Sequence, residues 1–320
     1  MKTRSDGWYT DGSTGESYYV PAGSSIHSEE ERESIRQTIK RKQEYEEINR
    51  LTNEYKNDKC GEFFWSLYNV GFDYHPDLPD DLLSKVIYLL TYMDYNTNKL
   101  VIRDSAYDAY RPMKKDDVRK VIRLSKRRFF CFWDKLMNCG VISENECGEL
   151  IVSDEFRRGK GKIDKRTMHG MSAIKIFSHA VRYVYENIDV RSHRYLSYLY
   201  RLIPFISLKY NVFCLNPLEM DKEKIQPLTV KELCELIGIE PQKHNEDRLI
   251  NSLFKLMFID KDKNKLSVIT LIKRIVNDEI RQYITINPQF YAGYISIDEM
   301  DSIMNEFVIK EKEVKRLETS

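Results

Sequence analysis

Residues 112–122 line up without a gap against residues 227–237: Pro112-Met113-Lys114-Lys115-Asp116-Asp117-Val118-Arg119-Lys120-Val121-Ile122 against Pro227-Leu228-Thr229-Val230-Lys231-Glu232-Leu233-Cys234-Glu235-Leu236-Ile237. An internal match of this kind constrains the fold more than any single motif, because repeated units bury their apolar faces against related neighbours. Further along, Lys135-Leu136-Met137 matches Lys255-Leu256-Met257, which places a turn five residues longer in the second copy.

The first copy is the easier to read. Val118, Val121 and Ile122 fall on one face of a short helix over residues 114–122. Arg123-Leu124-Ser125 is a tight turn that ends in a good N-cap residue, and residues 126–139 form a second helix with Phe129, Phe132, Trp133 and Leu136 inward. Gly140 stops it from the C′ position. Val141 and Ile142 begin a strand, residues 145–148 turn it, and Leu150-Ile151-Val152 returns. A helix at 82–93, capped by Asp80 or Asp81, and a strand at 99–103 come before. Helix, turn, helix and hairpin in this order predict a helix-turn-helix with a wing. In the second copy the corresponding pieces are a helix at 195–206, a strand at 212–215 and a hairpin from Ile259 through Asn264 to Leu266. Residues 267–277 fit either a longer wing or an extra helix, and residues 281–287 a strand.

The expected fold class is therefore mainly α with small β wings, two tandem winged helix-turn-helix domains plus an N-terminal charged helix. The expected boundaries are a Gly- and Ser-rich flexible arm at 1–27 and a charged helix at 28–58, opened by Ser28 and Glu31. A first winged domain follows at 62–156, a basic linker at 157–172, a second winged domain at 173–295 and a capped helix at 296–320, opened by Ser296 and Glu299.

Charge supplies the functional signal. The 51 Lys and Arg nearly cancel the 50 Asp and Glu, but residues 1–80 carry net −6, residues 81–170 net +6 and residues 171–320 net +1. Between residues 114 and 128 there are eight basic side chains and two acidic ones. Lys126, Arg127 and Arg128 occupy the first turn of the second motif helix. There cations oppose the helix dipole at about 0.3–1 kcal/mol each, so a phosphate partner explains them better than surface decoration does. Lys114, Lys115, Arg119, Lys120 and Arg123 extend the patch. Arg127 and Arg128 are the candidates for base edges. Arg157, Arg158, Lys160 and Lys162, spaced by Gly159 and Gly161, form a second cluster suited to tracking phosphates or to linking domains. In the second copy Glu246, Asp247 and Arg248 stand at the positions matched to 126–128, which favours a protein-contact or self-association role for residues 173–295, with the 28–58 helix as another such surface. Contact with DNA through Lys261, Lys263 and Lys265 is the weaker reading there.

Other chemistry finds little support. No GxxxxGK[ST], GxSxG or HExxH occurs, and the knot of Asp73, His75, Asp77, Asp80 and Asp81 reads better as a Pro-bounded turn and helix cap than as a metal or nuclease site. His169, His179 and His193 have no convergent carboxylates. The six cysteines form no CxxC pair, no run approaches the ~20 apolar residues of a membrane span, and the start lacks a signal-type apolar core. The expectation is a cytoplasmic, non-enzymatic protein with no cofactor, no metal and no membrane partner.

The segment from Leu82-Leu83-Ser84-Lys85-Val86-Ile87-Tyr88 through Met113 to Gly140-Val141-Ile142, ending Ile151-Val152-Ser153-Asp154-Glu155-Phe156-Arg157-Arg158-Gly159, resembles winged-helix replication proteins of the RepL type, from plasmids and phages of low-GC Gram-positive bacteria. Most of these motifs are shared with MarR-type repressors. In the RepL pattern the last wing strand runs into an aromatic residue and a Lys/Arg-Gly. Residues 155–159 fit, and Ile286-Asn287-Pro288-Gln289-Phe290-Tyr291-Ala292-Gly293 is a looser echo. The resemblance implies a double-stranded DNA-binding protein of a mobile element, acting as replication initiator or transcriptional regulator. The alternative is a winged-helix protein-interaction module, a replisome-loading or antirepressor factor without DNA specificity of its own.

Overall fold

The structure, a computed structural model, describes residues 7–10, 15, 17–20, 38–40, 43, 58–72, 74, 78–95, 97–104, 109–158, 171–276, 279–293 and 295–318. The chain divides into two compact units, Met1–Glu54 and Tyr55–Ser320. In the first, β1 (Gly7–Thr10) and β2 (Ser17–Val20) pair antiparallel with Trp8 opposite Tyr19, so the segment expected to be a flexible arm contains a hairpin. Thr38, Ile39, Lys40 and Gln43 are helical. The rest of the charged helix expected at 28–58 lies outside the described residues, apart from a helical start to the second unit at Asp58.

The second unit corrects the expected fold class. The protein is not a mainly α, tandem winged helix-turn-helix chain: 42% is helix and 25% strand, and the strands lie in several small antiparallel sheets. The largest has four strands. β3 (Phe63–Tyr68) and β9 (Ser172–Phe177) pair antiparallel along their full length at its centre. β8 (Phe156–Arg157) flanks β3, and β14 (Tyr291–Ala292) flanks β9, giving the order β14-β9-β3-β8. Both central strands are rich in aromatic and β-branched residues, which favour a pleated, buried surface. Phe64, Ile174, Ile176 and Phe177 are fully buried. The apolar core runs without a break from Cys60 to Phe307, so this sheet and what packs on it join both halves of the chain into one body.

The halves nevertheless repeat an order of elements. In the first, α1 (Asp80–Leu90), β4 (Val101–Asp104) and β5 (Ala109–Pro112) lead to α2 (Lys115–Val121) and α3 (Lys126–Asn138), then the hairpin β6 (Ile142–Glu144) and β7 (Leu150–Val152). In the second, α4 (Ser178–Asn187) is an addition, and α5 (His193–Arg201) precedes α6 (Val230–Leu236) and α7 (Lys243–Phe254). Backbone hydrogen bonds fix the equivalence. Met113 N donates to Leu100 O (2.8 Å) as Leu228 N does to Phe213 O (3.0 Å), and Val152 N to Asn98 O (2.8 Å) as Ile286 N to Asn211 O (2.9 Å). Asn98 and Asn211 both have left-handed backbone, φ +53° and +52°.

That equivalence revises two expectations. The second hairpin matching β6–β7 is β12 (Ile269–Val276) with β13 (Glu279–Ile286), while β10 (Met257–Ile259) and β11 (Lys265–Ser267), where a wing was expected, form an additional hairpin. The link between α6 and α7 is two residues longer than that between α2 and α3, not five, because α7 begins at Lys243 and ends before Lys255. Phe290 N donates to Asn287 O as Phe156 N does to Ser153 O, so the echo between residues 155–159 and 286–293 is structural. The capped helix α8 (Ile297–Glu318) closes the chain, with Glu299 N donating to Ser296 Oγ (3.2 Å).

At the middle of the unit α1 lies against α5. Ser84 and Ser197, equivalent positions and both buried, let the helices approach: Ser197 Oγ accepts from Ser84 N (3.3 Å) and donates to Asp80 O (2.6 Å). With β3 against β9, this contact marks an approximate two-fold relation between the halves.

Candidate nucleic-acid interface

α3 forms because its apolar residues recur at helical spacing. Phe129, Phe132, Trp133 and Leu136 face the core, each stabilising the fold by about 1.5–3 kcal/mol on burial. Gly140, at φ +71°, ends it as expected. That anchored stripe leaves Lys126, Arg127 and Arg128 on the outside, all exposed. Among the described residues none of the three meets a carboxylate or a hydrogen-bond acceptor. Ser125 stands at the N-cap but its hydroxyl makes no capping bond, and no acidic residue occupies the first turn. The positive end of the helix dipole is thus stacked with three cations and left uncapped, an arrangement that repels itself in the absence of an anion.

The flanking cations are held to different degrees. Asp117 accepts two bonds from Arg111 (2.7 and 2.9 Å) and one from Lys114 N (2.9 Å), and these hold its carboxyl below the usual range while capping α2. Asp116 is held low by Arg119 (2.9 Å) and Lys120 (3.2 Å). Arg119 and Lys120 therefore share a carboxylate, though Lys120 stays exposed. The Lys115 ammonium sits over the Trp133 ring (4.8 Å to its centroid) and the Phe130 ring (5.5 Å), and Lys114 is exposed.

Arg123 is exposed in the turn between the helices at φ +55°, a conformation that costs a non-glycine residue roughly 1 kcal/mol or more. Its equivalent in the second half is Gly238 at φ +70°, the residue this geometry favours.

Of the second predicted cluster, Arg157 and Arg158 lie among the described residues. Arg158 is mostly buried, tied to Glu62 and to the Met93 carbonyl, so it fastens the end of β8 to the residue preceding β3 and to the segment after α1. Arg157 is half-buried in β8 opposite Trp65. Lys160 and Lys162 lie outside the described residues. In the aspartate knot, Asp80 binds Arg201 (3.1 Å) and Asp81 binds Lys135 (2.9 Å), both bridging helices, while Asp73, His75 and Asp77 lie outside the described residues. His179 contacts the Ile259 carbonyl (2.9 Å) and His193 the Tyr185 carbonyl (3.0 Å), and His169 lies outside the described residues.

In the second half the first turn of α7 is Lys243, His244 and Asn245, with Lys243 bound to Asp247 (3.0 Å). Glu246, Asp247 and Arg248 sit one turn later than expected. No helix among the described residues is long and apolar enough to cross a membrane. Comparison of the chain with protein-family models, curated proteins and solved structures finds no match.

Proposed function

We propose that this protein binds double-stranded DNA through the exposed face of α3, with phosphates engaged by the first turn of that helix and by the turn before it. The observation that carries this reading is the uncapped, partnerless triplet Lys126-Arg127-Arg128. Three cations at the positive end of a helix cost stability, and an anionic ligand with closely spaced charges relieves that cost. An α-helix fits the major groove, and the surrounding Lys114, Lys120 and Arg123 track the backbone beside it.

These six cations neutralise about six phosphates, so log K falls against log salt with a slope of about −5. Changing Lys126, Arg127 and Arg128 to Ala together makes that slope shallower by about 3 and weakens binding at least a hundredfold in low salt. Unchanged affinity and slope in an electrophoretic or anisotropy titration would refute the reading. Its setting in a phage or plasmid, as replication initiator or transcriptional regulator, follows from the RepL-type resemblance. Genome-wide capture of bound DNA decides between origin and promoter sites.

The second half supports a different contact. α7 opens with a neutralised lysine, and the loop after residue 214 exposes Leu215, Leu218 and Met220. These favour a protein partner for residues 173–295, read out by whether a triple change of the three apolar residues to Ser leaves DNA binding intact.

A further inference from the structure

The exposed side of α3 is not uniformly polar. Arg127, Cys131, Asp134 and Asn138 recur along its outermost line, and Phe130 lies beside them, three residues from Arg127 and four from Lys126. Phe130 is 49% exposed although its neighbours Phe129, Phe132 and Trp133 are all buried. The core therefore does not need it, and nothing in the helical pattern demands an aromatic residue there. Lys115 approaches its ring at 5.5 Å, fixing one side of the ring while the remainder faces solvent among the cations.

A ligand for this face must satisfy two kinds of chemistry within one helical turn, several anionic groups and one small apolar group. The major groove of DNA presents both. Phosphates line its walls, and the C5-methyl of thymine is the apolar feature of its floor. A protein partner fits less well, because the apolar surface is a single ring enclosed by charged side chains and not a contiguous patch.

We infer that Phe130 is a specificity-determining residue that contacts a thymine methyl in the major groove while Lys126, Arg127 and Arg128 hold the duplex beside it. This inference rests on the DNA-binding reading above and extends it to a base identity. A bound site then contains a thymine at a fixed position relative to the contacts of α3.

The experiment uses the full chain. A duplex selected from a random library by repeated binding is resynthesised with each thymine in turn replaced by deoxyuridine, which removes one methyl and leaves every hydrogen-bonding group in place. At one or two positions the unaltered protein loses about three- to tenfold in affinity, as expected for one apolar methyl contact. Phe130→Ala binds the thymine and uracil forms equally at those positions, and Phe130→Leu retains part of the discrimination. Thermal melting of the variants shows that they fold. If the unaltered protein binds every uracil duplex as well as the thymine duplex, or if Phe130→Ala discriminates as strongly as the unaltered protein, the inference falls while DNA binding stands. If no duplex binds with a salt-dependent affinity, the DNA-binding reading falls as well.

Discussion

Arg123 shows how a single backbone angle separates stability from function. Its φ of +55° is matched by +70° at Gly238 in the other half, so the fold asks for a left-handed residue at this turn and the first half supplies an arginine. Arg123→Gly is expected to be neutral or to stabilise the protein by up to about 1 kcal/mol in urea unfolding, since strain is relieved against a more flexible unfolded chain. On the proposed DNA-binding reading, the same change is expected to lower affinity and to make the salt slope shallower by about 1. Arg123→Ala loses the affinity without the gain in stability. A marked loss of stability in Arg123→Gly would show that the guanidinium serves the fold. Sequence alone exposed the charge of Arg123 but not its backbone angle, because φ belongs to the turn. The gapless match that pairs Ile122 with Ile237 also pairs Arg123 with Gly238, and this was the available signal.

Elements built on local periodicity were legible; those built on distant pairing were not. The α2, α3, β6 and β7 segments follow from apolar spacing, Gly140 and the 145–148 turn, where Asn145 Oδ1 accepts from Cys147 N and Glu149 N. Strands β3 and β9 carry no local sign of each other, being separated by about a hundred residues, and so the central sheet was missed. The start of α7 was displaced because Glu246 and Asp247 suit a first turn as well as Lys243 does. Helix α4 has an end that another element completes. No basic residue occupies its last turn, and His193, at the start of α5, donates from Nε2 to the Tyr185 carbonyl while stacking on the Tyr185 ring at 4.1 Å. Burial holds the His193 pKa below that of an ordinary histidine, with Lys85 pushing the same way and the Tyr185 bond and Asp189 opposing. The native state thus binds this proton less readily than the unfolded chain. The contribution is intact above about pH 6.5, the unfolded value, and is lost as pH falls through it toward the lowered native value. His193→Phe keeps the stack and removes the titration, so its unfolding free energy declines less between pH 7 and pH 5. Equal declines in the two proteins would show that His193 does not titrate in that range.

At the scale of the second unit, the shared sheet, the Ser84–Ser197 contact and the continuous core make the halves interdependent. Removing either half would leave β3 or β9 without its long partner and bare the face of α1 or α5. In a Trp8→Phe background, urea unfolding followed by tryptophan fluorescence, which then reports Trp65 and Trp133 in the first half, is expected to coincide with far-ultraviolet circular dichroism, which reports helices of both. Separate midpoints would mean that the halves fold independently, as the sequence pattern alone suggested.

The strand order β14-β9-β3-β8 has one more consequence. A frame whose halves are related by an approximate two-fold axis, like a dimer written into one chain, would suit a palindromic site if both halves were charged alike. Here the halves differ: the first turn of α3 carries Lys126, Arg127 and Arg128, whereas that of α7 carries Lys243, His244 and Asn245, with Lys243 paired to Asp247. On the proposed DNA-binding reading, such a molecule has a front and a back, and the site it would recognise is an arrow along the DNA, not a mirror.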